Sequence, residues 1–386
     1  MRILGIETSC DETAVALVED GHKILSNVVV SQIDIFAAYG GGVIPEIAAR
    51  SHLEAIMPAI HQAFSEANLT TISHSTNPSS QLKSQDDWSK IDAIAVTHTP
   101  GLLGSLLVGT LTARTLALLH QKPLYAVHHL KSHIYANWLN LDPSPSSNSS
   151  NSSAPNSPTF PLISLIISGG HTQIVRMTAH QKFEIIGTTR DDAVGECFDK
   201  VAKILGLPYP GGPAITQIAH SGNSHRYLFP HPMPGTLDFS FSGLKTAVLR
   251  EAQHAVNKSI SFPSSALSPL LTDIQKADFA ASFEQTAVDI LIEKLKLALK
   301  KYPDTEAVVV AGGVSANQRL RHDLTQYLEQ QNHQSLNKNI KLFFPEPRFS
   351  GDNGAMVASA AYYEILSHVP ATDPYSLNIL PRSAIN

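Results

Sequence analysis

The sequence predicts an α/β protein of two related lobes with a ligand cleft between them, and three observations carry that prediction. ILGIETSCDETAVALVE (3–19) and LISLIISGGHTQIVRM (162–177) share one pattern: an apolar run, a short small-or-polar turn, and a second apolar run. A third run follows each of them, KILSNVVVSQ (23–32) and KFEIIGTTR (182–190). Helical spacing comes next in both halves. The doubling is not the fixed-period repeat of a solenoid. Two strand–turn–strand starts, with backbone amides and hydroxyls at both turns, suit two lobes that grip one phosphorylated ligand in the cleft between them.

The elements follow in order. Runs at 3–8, 13–19 and 23–32 form a first meander. PEIAARSHLEAIMPAIHQAFSEA (45–67) has helical spacing and opens with Pro45 in the first turn, where a missing N–H costs nothing. TTISHSTNPSSQLKSQDDW (70–88) reads as a solvated loop insertion. IDAIAVTHTPG (91–101) is a buried strand, LLVGTLTARTLALLHQ (106–121) a helix and PLYAVHH (123–129) another strand. DPSPSSNSSNSSAPNSP (142–158) has one Ala as its only apolar residue and cannot offset its ordering entropy by burial, so it is expected to be a disordered loop.

After the second meander, GECFDKVAKILGL (195–207) is a helix and PYPGGPAI (208–215) a Gly/Pro turn. Helical pieces lie near 245–256, with a Ser/Pro-rich loop near 259–269. KADFAASFEQTAVDILIEKLKLALKKY (276–302) is a long helix, and EAVVVAGGVSAN (306–317) a strand running into a Gly turn before a helix. IKLFFPEP (340–347) is the last strand and NGAMVASAAYYEIL (353–366) the last helix. The expected organisation is an N-terminal α/β lobe over 1–141, the loop 142–158, a C-terminal α/β lobe with a helical insertion over 159–366, and an irregular tail over 367–386.

Composition bounds the function. With 386 residues, 43% hydrophobic and 16% charged, the chain can bury a large core. A net charge of −5 argues against a free-standing nucleic-acid binder and leaves only local basic patches, for which Arg50, Lys83, Lys131, Lys203 and Arg226 are candidates. Two cysteines, Cys10 and Cys197, make no disulfide scaffold and suit a reducing compartment. Met1 runs straight into a strand, and no apolar run reaches the ~18 residues that span a bilayer. The expectation is a cytoplasmic protein without membrane contact.

Several positions carry chemistry, each beside a plainer reading. His129 and His133 stand four apart after a strand, so a helix there puts both rings on one face, the spacing of two imidazoles on one metal. His128 points elsewhere. Asp352, at a turn before a helix, serves either as a third ligand or as a helix N-cap. Ser168, Gly169 and Gly170 form a turn whose amides can cradle phosphate oxygens, or simply a tight turn that needs glycine. Gly211–Gly212 and Gly312–Gly313 share that ambiguity; a buried strand ending in Gly-Gly before a helix also occurs in nucleotide sites. Asp11 and Glu12 at the first turn can orient metal-bound water or accept a proton, or be turn polarity. Asp199 faces either the cleft or solvent, paired with Lys203. There is no G-x-S-x-G elbow, no H-E-x-x-H and no P-loop.

Taken together the motifs are far more specific. GIETSCDET (5–13), YGGGVIPEIAARSH (39–52), PGLLGSLLVG (100–109), AVHHLKSH (126–133), SGGHT (168–172), DDAVGECFDKVAKILGLPYPGGP (191–213), FSFSGLKT (239–246), AGGVSAN (311–317) and DNGAM (352–356) occur in one order. That set resembles the tRNA N6-adenosine threonylcarbamoyltransferase family, once described as O-sialoglycoprotein endopeptidases, in its bacterial branch. Only 70–88, 142–158, roughly 257–272 and the tail lie outside the resemblance.

The resemblance implies the actin/Hsp70/sugar-kinase architecture, with duplicated βββαβαβα lobes and an interlobe nucleotide cleft. It implies one divalent metal per subunit, Fe2+ favoured over Zn2+, on His129, His133 and Asp352, and substrate contacts at Ile166, Ile167, Ser168, Gly169, Gly170, Asp199, Gly212 and Asn317. The implied reaction moves the threonylcarbamoyl group of threonylcarbamoyl-AMP to N6 of the adenosine 3′ of the anticodon, position 37, in tRNAs reading ANN codons. Asp11 and Glu12 are the candidate catalytic carboxyls. A paralogous inactive subunit (TsaB-like) and a small P-loop ATPase (TsaE-like) are the implied partners. The alternatives are a metalloprotease, which needs the absent H-E-x-x-H where this chain has Leu130 after His129, and a non-catalytic scaffold of the same fold.

Overall fold

A computed structural model of the chain describes residues 1–39, 41–73, 83–139, 157–334 and 339–385. Its contacts define two units, one of Met1–Asp34, Val43–Ser157 and Gly351–Asn386, the other of Ile35–Gly42 and Pro158–Ser350.

In chain order the first elements are β1 (Arg2–Glu7), β2 (Glu12–Glu19), β3 (Lys23–Ser31), α1 (Ile33–Ala38) and α2 (Pro45–Glu66). β4 (Thr70–Ser73), β5 (Lys83–Asp86), β6 (Ala93–Thr99), α3 (Leu103–His120), β7 (Leu124–His128) and α4 (His129–Tyr135) follow. Next come β8 (Leu162–Ile167), β9 (Thr172–Ala179), β10 (Lys182–Thr188), α5 (Val194–Leu205), α6 (Gly211–Ala219), α7 (Ser242–Ala255) and α8 (Asp273–Lys301). β11 (Ala307–Ala311), α9 (Gln318–Gln334), β12 (Lys341–Phe343) and α10 (Gly354–Leu366) complete the chain.

The doubled meander expected from the sequence is present. One sheet has the order β3-β2-β1-β6-β7 and the other β10-β9-β8-β11-β12. In each, the first strand of the meander is antiparallel to the second and parallel to a strand that arrives after helices. That central position explains the uninterrupted apolar runs: a strand covered on both faces needs no polar alternation. β8 is buried at every residue.

In the first unit, Ile56, Ile60 and Phe64 of α2 and Val108, Ala113 and Leu116 of α3 pack with Leu4, Ile6, Val15 and Val96 of the sheet. α3 is also the one described helix long and apolar enough to cross a membrane, with 18 residues of mean hydropathy 1.3. The sequence reading missed that it passes this test. Its core residues show why a packed helix passes as well: an inner face of apolar side chains raises the mean without any bilayer.

The linear division at 158 and 366 is replaced by a chain that leaves the first unit and returns. α10 belongs with the N-terminal strands. Glycines permit it: a Cβ on Gly5 of β1 would stand 2.2 Å from the Gly354 carbonyl oxygen, and one on Gly354 would stand 2.5 Å from the Ala16 amide nitrogen. Ser359 Oγ donates to the Gly21 carbonyl at 2.7 Å. The tail is irregular as expected but tied down: Thr372 bridges to Leu124, and the Leu380 amide donates to the His98 carbonyl at 3.2 Å. Gly5→Ala is expected to destabilise the protein by about 2–3 kcal/mol, because neither backbone can yield without opening the helix–sheet contact. Urea denaturation measures it, and a loss below about 0.5 kcal/mol would show that the contact relaxes freely.

Two local expectations fail. The 70–88 insertion is not all loop, since Thr70–Ser73 pairs with Lys83–Asp86; 74–82 lie outside the described residues, as does 142–156 of the expected disordered segment. The 208–215 turn is half helix, because α6 starts at Gly211. Pro213 sits in its first turn, where proline is tolerated. Gly211 is required there, as a Cβ would lie 2.6 Å from Asp199 Cα.

Candidate metal centre and a glycine-walled pocket

The first unit gathers a compact ligand set. β7 ends at His128, whose Nδ1 accepts the Leu130 amide at 3.2 Å and so caps α4. Helical spacing then sets His129 and His133 on one face, with ring centroids 4.6 Å apart. Asp352 is not the cap of α10. Asn353 takes that place, its Oδ1 accepting the Met356 amide at 2.9 Å. Asp352 Oδ1 lies 3.1 Å from His133 Nε2 and 3.5 Å from His129 Nε2. One donor atom from each of the three residues falls within 4.8 Å of the others.

The chemistry of this set fits a cation. Both ring nitrogens of His133 are buried and make no hydrogen bond, although Nε2 stands close to Asp352. A buried ring nitrogen without a hydrogen bond that stands beside a carboxylate, as Nε2 does, is expected of a metal ligand and costly otherwise. His129 is fixed from behind. Its Nδ1 lies 3.0 Å from Glu7 Oε2 and 3.2 Å from Ser9 Oγ, leaving Nε2 for the cation. Glu7, fully buried, also accepts from Thr97 Oγ1 at 2.6 Å and from the Ser9 amide at 2.6 Å. The His129–Asp352–His133 set can therefore bind a metal.

The surrounding charges agree. Burial pushes Glu12 up, and Asp352 and Asp11 push it further, to about 10. Burial and the Asp11 and Asp352 charges also hold the Cys10 thiol well above its usual range. Burial alone would raise Glu7, but its bond and charge interaction with His129 hold it below the usual carboxylate range. Burial alone would lower His129, yet Asp352 and Glu7 lift it to about 9. Glu7, Asp11, Glu12 and Asp352 thus crowd carboxyl groups into one place, where Glu12 holds its proton and a divalent cation offsets the charge of the others.

The second unit holds a cavity of about 660 Å³. Gly169, Asp199, Gly212 and Asn317, all expected at the substrate site, line it together with Thr216. The SGG, PGG and AGG turns meet there. A Cβ on Gly169, Gly212 or Gly313 would project into open space, whereas one on Gly195 would stand 2.6 Å from the Ser168 carbonyl. Gly312 holds φ +89°, a left-handed backbone, with Ile167 O only 2.5 Å from where a Cβ would be. At these glycines the wall is bare backbone, open to a ligand's phosphate. Asp199 Oδ1 accepts the Gly211 amide at 2.8 Å and ties α5 to α6.

Not every expected contact lines this cavity. Ile166 and Ile167 are buried in β8, so they offer a ligand only backbone. Ser168 closes its turn, its amide donating to the His171 carbonyl at 2.8 Å and its Oγ accepting the His171 amide at 3.2 Å. Gly170 is not among the lining residues. The sequence reading missed Glu7, Thr216 and Glu284. Glu7 left one trace, a carboxylate closing the apolar run at 3–6.

Comparison with known proteins gives a consistent picture. A family model described as TsaD, tRNA N6-adenosine threonylcarbamoyltransferase, matches residues 23–75 and 81–359. A tRNA N6-adenosine threonylcarbamoyltransferase of Symbiobacterium thermophilum is 44% identical over 363 residues, covering 94% of this chain and 91% of its own. That of Staphylococcus haemolyticus is 43% identical over 371 residues, covering 96% and 93%. Among solved structures, full-length HypF in its phosphate- and nucleotide-bound form aligns over 96% of this chain and 47% of its own, at 13% identity and a TM-score of 0.51. That likeness is one of fold, and the fold is the actin/Hsp70/sugar-kinase type expected.

Proposed function

The chain belongs to the TsaD family of tRNA N6-adenosine threonylcarbamoyltransferases, and we propose that it works through a cation on His129, His133 and Asp352 and an adenylate held by the glycine turns of its second unit. Its activity is threonylcarbamoyl transfer to tRNA, forming the N6-threonylcarbamoyl adenosine next to the anticodon. The His–His–Asp cluster is the observation that carries the mechanistic reading. Two imidazoles and one carboxylate with open positions suit Fe2+, with Zn2+ as the second choice.

The donor, threonylcarbamoyl-AMP, is a mixed anhydride whose leaving group is AMP. The N6 amine attacks the carbamoyl carbon, the carbon–oxygen bond to AMP breaks, and N6 loses a proton. A divalent cation supplies Lewis-acid polarisation of the donor's carbonyl or phosphate oxygens. The amides of Gly169 and Gly313 are the donors for the adenylate phosphate, and Asp199, Gly212 and Asn317 hold its nucleoside. Asp11 and Glu12 are the candidate proton acceptors; burial, with the charges of Asp352 and Asp11, holds Glu12's own proton on it, so it accepts another only after losing that one.

A net charge of −5 makes tRNA binding by this chain alone weak and steeply salt-dependent. A paralogous inactive subunit and a small P-loop ATPase supply the remaining contacts, in the cytoplasm, where the free Cys10 and Cys197 stay reduced. The test is mass spectrometry of anticodon-loop nucleosides after the chain is incubated with unmodified tRNA, synthesised threonylcarbamoyl-AMP and the two partners. Threonylcarbamoyl adenosine at position 37 is the expected product. Full-rate product with the donor and this chain alone would remove the partner requirement.

A further inference from the structure

The floor of the second unit's pocket is held by a buried carboxylate that the sequence reading did not single out. Glu284, 3% exposed, sits in the middle of α8 behind the lining residues Thr216 and Asn317. Its Oε1 accepts the Thr216 hydroxyl at 2.6 Å and an Asn317 amide hydrogen at 2.7 Å. The second Asn317 Nδ2 bond runs to Thr216 Oγ1 at 3.1 Å, and Asn317 Oδ1 accepts the Leu320 amide at 2.9 Å, at the start of α9.

Counting hydrogens fixes what this floor presents. Thr216 has one hydroxyl hydrogen, and Glu284 takes it. Asn317 has two amide hydrogens, and Glu284 and Thr216 take both. What remains for a ligand is acceptor capacity: a lone pair on Thr216 Oγ1 and one on Asn317 Oδ1. The bond to Leu320 forbids flipping the Asn317 amide, because a flip would set its NH2 against a backbone N–H.

We propose that Glu284 is the positioning residue of this pocket: by accepting from Thr216 and Asn317 it makes the floor an array of acceptors, which selects a ligand that brings hydroxyl donors, a ribose diol. This rests on the reading of the pocket as the adenylate site. A nucleotide without ribose hydroxyls leaves those acceptors buried and unmatched, the situation in which a site discriminates most strongly.

The experiment is calorimetric titration of the full chain with AMP and with 2′,3′-dideoxy-AMP. The wild type should prefer AMP by roughly ten- to a hundredfold. Glu284→Gln should keep that preference, since an amide Oε1 accepts where the carboxylate oxygen did. Glu284→Leu should bring the two ligands to within about threefold of each other. Thermal melting reports whether each variant folds. Where Glu284→Leu does not, Thr216→Val, which keeps the shape and removes the hydroxyl, should show the same loss. Preference retained in the leucine or valine variant overturns the proposal alone. Preference lost equally in the glutamine variant overturns it too, since charge rather than acceptor geometry then matters. Failure of the wild type to bind AMP overturns the adenylate reading and the proposal with it.

Discussion

Replacing His133 with alanine is expected to empty the metal centre and cut threonylcarbamoyl transfer by at least about a thousandfold, the rate equivalent of about 4 kcal/mol of lost charge stabilisation. His133 is 1% exposed, so the residue is more enclosed than a cleft ligand read from the sequence would be. The fold should still survive. Neither ring nitrogen makes a hydrogen bond, so alanine forfeits only the 3.1 Å approach of Nε2 to Asp352, and removing two buried polar atoms partly offsets the void left by the ring. A change in unfolding free energy within about 1.5 kcal/mol is expected. Elemental analysis of the purified variant, beside its melting curve and transfer rate, decides the matter. Full metal occupancy in a folded H133A protein would remove His133 from the ligand set.

Much of this centre was legible because its information is local. Two histidines at i and i+4 directly after a buried strand need only a helix to share a face, and the His128 cap starts one there. Asp352 was ambiguous for an equally local reason: candidate ligand and cap stand side by side, and only the structure shows that Asn353 caps α10. The sheets were legible because central strands write long apolar runs. The β4–β5 ladder was not, since TTIS and KSQD show no apolar alternation to mark them as strands.

What escaped depends on partners far along the chain. Glu7 meets Thr97 across 90 residues and His129 across 122. Glu284 meets Thr216 across 68 and Asn317 across 33. Gly5 and Gly354 are unremarkable apart and indispensable together. No window of sequence contains such pairs, so a single chain read alone shows the first ligands of a site better than the groups that aim them. The same limit explains the return of α10 to the first unit: nothing in NGAMVASAAYYEIL names the strand it lies on.

Glu7→Gln should cost the centre roughly ten- to a hundredfold in metal affinity without any ligand being changed. Wild-type Glu7 accepts three hydrogens at once, from Ser9 N, Thr97 Oγ1 and the His129 Nδ1 side. Acceptance at Nδ1 keeps the proton there and presents Nε2 as a bare donor. Glutamine has one oxygen and one NH2. The Ser9 amide, on Oε1 in the wild type, retains the oxygen; the NH2 then faces His129 Nδ1 and drives the ring proton to Nε2, the nitrogen a metal needs. The pH dependence separates this effect from simple loss of charge. Without metal, His129 holds its proton up to about pH 9, lifted by Asp352 and Glu7 against its burial. Metal must expel that proton, so wild-type affinity falls as pH drops below about 9. Removing the Glu7 charge lowers the His129 pKa and weakens this competition. The gap between wild type and E7Q should therefore be widest above pH 9 and narrow toward neutrality. Metal titration against a competing chelator across that range measures it. A gap that widens as pH falls would mean that Glu7 acts on the protonated ring alone and does not orient His129.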